Sequence, residues 1–161
     1  MPKRRILKRR RDGVKQHYIV GSRGNNAYRK RPTLNGNRLK QTIKTYSDKQ
    51  MDNIIIKNGK ISGTYDNKRI RYPFKKINHL ETIGNWDHKL KKHSIIIDKD
   101  VKKNNVKPLL IHEAVEQYLV KEKDMPISEA HKIATNAEEK YVKSNRNNWR
   151  GYQISVAKTK I

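Results

Sequence analysis

The chain contains no cysteine. This excludes disulfides, cysteine-based zinc fingers, cysteine-ligated iron–sulfur clusters and thiol catalysis, and it fits a reducing interior. Long hydrophobic runs are missing as well. No stretch approaches the ~20 apolar residues of a membrane span, so no membrane partner is expected. The N-terminus has the charge of a signal peptide without its apolar segment, so secretion by that route is not expected. Hydrophobic residues make up 34% of the chain, below the roughly 45–50% of ordinary globular domains. With 161 residues, that points to one domain with a small core.

Acids are the other shortage. Asp and Glu number 15 against 39 Lys and Arg, a net charge of +24. Residues 1–40 hold 14 of the cations and one acid, Asp12. The simplest partner for such an excess is a polyanion, and nucleic acid is the commonest. The candidate contacts are Lys3, Arg4, Arg5, Lys8, Arg9, Arg10, Arg11, Lys15, Arg29, Lys30 and Arg31, interleaved with Tyr18 and Tyr28. Arginine pairs bidentately with phosphate and tyrosine stacks on bases. No zinc knuckle, helix-turn-helix or aromatic RNA-recognition motif accompanies them, so the expected binding is not sequence-specific. Like charges at this density repel, and residues 1–40 read as an extended basic arm. An intracellular place, cytoplasmic or nucleoid-associated, or a virion suits such a protein. The segment Lys8–Gly21 resembles short basic leaders of archaeal and viral proteins.

Residues 41–161 read as a single α+β domain. Residues 41–51 suit a short helix. Residues 53–74 suit a three-stranded meander, with Asn58-Gly59 as a favoured hairpin turn and Asp66-Asn67-Lys68 as a second turn. Pro73 belongs at a strand end or edge. Residues 75–92 read as loop, with Gly84-Asn85-Trp86 as a packing anchor, and residues 93–98 as a strand. Pro108 suits the first turn of a helix over 107–123, whose apolar face is Ile111, Val115, Tyr118 and Leu119. A second helix over 126–143 carries Ala130, Ala134 and Ala137 at close-packing steps. Ile154 and Val156 hint at a last short strand. The expected fold is a small, mainly antiparallel sheet with a C-terminal helical hairpin.

The chemistry concentrates in His112-Glu113-Ala114-Val115-Glu116. On a helix, His112 and Glu116 fall about 40° apart on one face, the placement that gives two ligands to one metal ion. Glu113 lies beside them, where a zinc hydrolase keeps its general base. If the two helices pair antiparallel, His131 and Glu138 converge on the same place. Residues 111–140 also hold seven of the 15 acids. Imidazole and carboxylate together suit zinc or another divalent transition metal. The plainer readings are solvated Glu113 and Glu116 near their helix start, and His131 packed on a backbone carbonyl.

Over roughly residues 93–140 this arrangement resembles the zincin-like metallopeptidases, especially the minimal ones of viral and mobile-element genomes; the zincin-like segment is taken as 93–143. The resemblance implies a strand, here His93–Asp98, forming an edge that holds an extended peptide substrate. It implies His112 as a metal ligand, Glu113 as general base, and His131 or Glu138 as third ligand. The family's second histidine is Glu116 in this chain. The competing expectation is a non-enzymatic nucleic-acid-binding protein of a virion, chromatin or ribonucleoprotein, with a structural His112–Glu116 helix. A metallopeptidase fold that has lost its chemistry is a third.

Overall fold

In a computed structural model, which describes residues 33–77, 95–145 and 147–158 and the backbone alone of 5–9, 15–19 and 84–86, two dipeptides organise the first half of the domain. Ahead of them, β1 (Arg5–Arg9) and β2 (Lys15–Ile19) pair antiparallel. The rest of the basic arm, and all its side chains up to residue 32, lie outside the described residues. Helix α1 spans Gly36–Tyr46. It starts five residues before the expected helix, crosses the 40/41 boundary, and packs Leu39 and Ile43 against the core.

Strands β3 (Asp52–Lys57), β4 (Lys60–Tyr65) and β5 (Lys68–Ile77) form the expected meander. Asn58, Gly59, Asp66 and Asn67 all have positive φ. Two consecutive left-handed residues make the tight turn whose twist matches paired strands, and Asn, Asp and Gly tolerate it best. Along β4 and β5, Ile61, Tyr65, Ile70 and Tyr72 turn inward while Lys60, Arg69 and Arg71 turn outward, the period of two that a half-buried sheet requires. Gly63 is obligatory. A Cβ there would meet Met51 Cε at 2.6 Å and the Asp52 carbonyl oxygen at 2.9 Å, beside a register shift between Asp52 and Ile55.

β5 runs on to Ile77, three residues past the expected meander end. Pro73 therefore lies inside the strand. It is tolerated because it sits where partners change: Lys60↔Pro73 closes the β4 ladder, and Phe74↔Ile95 opens the next. That next partner is β7 (Ile95–Asp98), parallel to β5, while β6 (Gly84–Trp86) pairs antiparallel on its far side. The five-stranded order is β3-β4-β5-β7-β6. Gly84–Trp86, read as loop from sequence, is a strand. All four residues of β7 are buried, as a continuous apolar run in an interior strand predicts.

Asp98 turns the chain from β7 into the next helix, its Oδ1 accepting the Asp100 N–H at 2.8 Å. Helix α2 (Lys103–Lys123) then crosses the sheet, touching β4, β5, β6 and β7. It begins a turn earlier than expected, so Pro108 falls in the second turn. Its apolar face is not confined to one stripe: every residue from Pro108 to Val120 is buried. A helix sandwiched between sheet and helices buries its whole circumference. Asp124, left-handed at φ 58°, ends α2, and α3 (Ile127–Ser144) folds back on it through Ala130, Ala134 and Ala137. The last segment is helix α4 (Trp149–Lys158), not the strand suggested by Ile154 and Val156. Tyr152 and Val156, one helical turn apart, are buried, and Ile154 is exposed. Asn148 Oδ1 caps α4, accepting the Gly151 N–H at 2.7 Å. The whole is an α+β fold: a mainly antiparallel sheet carrying C-terminal helices. No helix among the described residues is long and apolar enough to cross a membrane.

One polar cluster ties α1, the second hairpin turn and α2 together. Asp66 Oδ2 accepts the Tyr46 hydroxyl at 2.5 Å and the Tyr118 hydroxyl at 3.2 Å, with Lys49 and Lys123 within 3.8 Å. Burial alone would raise the Asp66 pKa. The two hydroxyls and two ammonium groups outweigh it and hold the carboxyl below its usual value.

Candidate metal centre

The i, i+4 spacing on α2 brings His112 and Glu116 together as the sequence predicts, with Nε2 of His112 3.1 Å from Glu116 Oε2. Antiparallel pairing brings His131 of α3 to the same point. Its Nδ1 lies 3.0 Å from Glu116 Oε2 and 3.2 Å from His112 Nε2. Three ligand atoms from three side chains thus form a nearly equilateral triangle. Tetrahedral zinc, bound at about 2.1 Å, separates its ligand atoms by about 3.4 Å, so the triangle is close to one face of such a site. The same distances also suit hydrogen bonds, Glu116 Oε2 accepting from one ring nitrogen of each histidine. His112, Glu116 and His131 can hold a metal ion.

The solvated readings are excluded by burial. His112 is 1% exposed, Glu113 and Glu116 are fully buried, and His131 is 8% exposed. An ionised carboxylate in such a place requires a cation or several donors; the two imidazoles beside Glu116 offer donors, and a divalent ion would offer the charge.

Glu138 does not join the triangle. It stands behind His112, with Oε1 2.8 Å from Nδ1. With a metal at Nε2, a carboxylate on Nδ1 would hold the proton on that nitrogen and so fix the ring. Sequence spacing placed Glu138 correctly two turns beyond His131 but could not say which ring nitrogen it would meet.

The sequence reading missed two residues. Tyr152, on α4, donates its hydroxyl to Glu138 Oε2, so both oxygens of Glu138 are occupied. Burial first, then the charge and hydrogen bond of Glu138 and the charge of Glu113, push the Tyr152 pKa well above 10. Tyr152 therefore stays protonated, as a donor must. Its only sequence signal was the Asn148 cap followed by the Tyr152–Val156 spacing of a helix. The second is Gln117, one turn past Glu113. It is fully buried, and neither atom of its amide is hydrogen-bonded among the described residues. Nothing in the sequence marked it.

Glu113, the candidate general base, neighbours His112 on α2 and acts electrostatically on Tyr152. The expected peptide-holding edge is corrected: β7 lies between β5 and β6 and is not an edge. His79, His88 and His93 lie outside the described residues, as do the side chains of all the basic-arm contacts proposed from sequence.

Compared with known proteins, the chain matches no family model, no curated protein and no solved structure at a significant level.

Proposed function

We propose that the protein is a metal-dependent hydrolase of zincin-like type, with zinc or another divalent transition metal held by His112, Glu116 and His131. The observation that carries this is the triangle of ligand atoms backed by Glu138 on the far nitrogen of His112. Two imidazoles and one carboxylate form a ligand set used by catalytic zinc, and three protein ligands leave a fourth position for water or substrate. A structural site would more often close all four. When bound, such an ion polarises a carbonyl group and acidifies water.

The chain's own groups divide the remaining work. Glu138 and Tyr152 orient His112. Glu113 takes the proton from the attacking water, the role its place beside the first ligand supports. The buried Gln117 amide offers a donor and an acceptor, and a buried amide calls for a polar partner such as water or a substrate carbonyl. A peptide is the substrate class that the zincin-like resemblance implies. The basic arm would associate with nucleic acid without sequence preference, bringing the site to its place of action.

The test is elemental analysis of nuclease-treated protein beside His112→Ala, followed by peptide-library cleavage with Glu113→Gln. The expected result is about one equivalent of metal per chain, lost in His112→Ala. Cleavage should be lost in Glu113→Gln with the metal retained. Metal without cleavage would leave a metal-stabilised nucleic-acid-binding protein. No metal even after loading would overturn the site itself.

A further inference from the structure

The meander has a second face, turned away from α2, whose chemistry differs from that of the buried site. The register sets its rows. Ile55 pairs with Ser62 and Ser62 with Arg71; Lys57 pairs with Lys60; Thr64 pairs with Arg69. Ile55, Lys57, Lys60, Ser62, Arg69 and Arg71 line one groove of about 290 Å³. Lys57, Lys60, Arg69 and Arg71 are exposed, and none forms an ion pair with a described residue. The one acid on these strands, Asp52, stands at a corner opposite Thr64 and is bonded by Gln50 Nε2 at 3.1 Å.

Arg69 is held in place. It donates to the Asn53 carbonyl at 3.1 Å and to Ser62 Oγ at 3.0 Å. That uses two of the five donors of a guanidinium and fixes its plane. Ile55, 51% exposed, lies in the row that ends at Arg71.

We propose that this sheet face is a docking surface for the phosphate backbone of double-stranded nucleic acid, separate from the N-terminal arm. Charge complementarity selects a polyanion. The groove lining selects a duplex over a single strand, because single-strand platforms rely on aromatic rings to stack bases and the described residues of this groove include none. The tyrosines of β4 and β5, Tyr65 and Tyr72, are committed to the core. Phosphate contacts position a duplex without reading its sequence, so binding is indifferent to sequence and strongly dependent on salt. The surface does not depend on the metal centre or on the arm.

The experiment uses the full chain, by fluorescence anisotropy with a duplex of arbitrary sequence over a range of salt concentrations. Two double variants remove equal charge, Lys57→Ala/Arg71→Ala on this face and Lys40→Ala/Lys44→Ala on the exposed side of α1. Each phosphate contact adds about 0.9 to the slope of log affinity against log salt. The sheet-face variant should therefore lose about two units of slope, while the α1 variant keeps the wild-type slope and the candidate arm contacts, Lys3 to Arg31, contribute equally to both. Equal losses in the two variants would reduce the effect to net charge and overturn the proposal, as would an unchanged slope in the sheet-face variant. Tighter binding to the single strand would overturn the duplex assignment. Competition by poly-glutamate as strong as by duplex would assign the face to an acidic polypeptide instead.

Discussion

Glu138 and His112 are joined across the α2–α3 interface, with the carboxylate Oε1 2.8 Å from Nδ1. The contact is between two helices, 26 residues apart in sequence. In the proposed metal site Glu138 is not a ligand but holds the tautomer and ring orientation of His112. Partners of this kind typically carry a factor of about 10–100 in metal affinity. Glu138→Gln should thus weaken zinc binding by about that factor without abolishing it. Competition with a calibrated chelator measures this, and a change below twofold would remove Glu138 from the centre.

Tyr152→Phe tests the next link. The phenol supplies a hydrogen bond to a buried carboxylate, an interaction worth about 1.5–3 kcal/mol. The metal-free variant should lose stability in that range in urea unfolding. Its metal affinity should fall less than that of Glu138→Gln, because Glu138 still reaches His112. Loss of stability with unchanged affinity would make Tyr152 a packing residue only.

The Asp66 cluster predicts part of the acid limb of stability. The folded pKa of Asp66 lies below its unfolded value. Its stabilising contribution is therefore complete above the unfolded carboxylate pKa, about 3.9, and is lost as pH falls through the lower folded value. Asp66→Asn keeps a residue that tolerates the positive φ of the turn. It should be less stable than wild type at pH 7, and the difference should shrink as the solution is acidified below about pH 4. Denaturant titrations at several pH values would show a constant difference if the hydroxyl bonds, and not the charge, were responsible.

Gly63→Ala should destabilise the sheet by about 1–3 kcal/mol, the usual cost of overpacking. The new methyl would meet the flexible Met51 Cε and the rigid Asp52 carbonyl. Met51→Ala relieves only the first clash and empties a buried position that is costly in itself, so the double variant is compared with Met51→Ala alone and should not recover its Tm. Full recovery would show that the carbonyl contact carries no cost.

Local geometry was legible in the sequence. The two hairpin turns were readable because left-handed φ favours Asn, Asp and Gly. The inward set of Ile61, Tyr65, Ile70 and Tyr72 follows a period of two, and the His112–Glu116 pair follows from 3.6 residues per turn. Ambiguity arose where two periods fit the same residues. Tyr152, Ile154 and Val156 alternate like a strand, yet Tyr152 and Val156 also share a helical face. Packing of α4 on α2 and α3 settled the matter by burying two of the three.

What the sequence by itself determined is which side chains could converge: two candidate ligands on one helix and a histidine and a glutamate on the next. Each was fixed by spacing within its own segment. Tertiary structure alone decided that His131 closes the triangle, that Glu138 stands behind His112, that Tyr152 secures Glu138, and that β7 is interior. Those outcomes depend on how α2 is rotated against α3, α4 and the sheet. That rotation is set by the summed packing of residues far apart in the chain, and no local period encodes it.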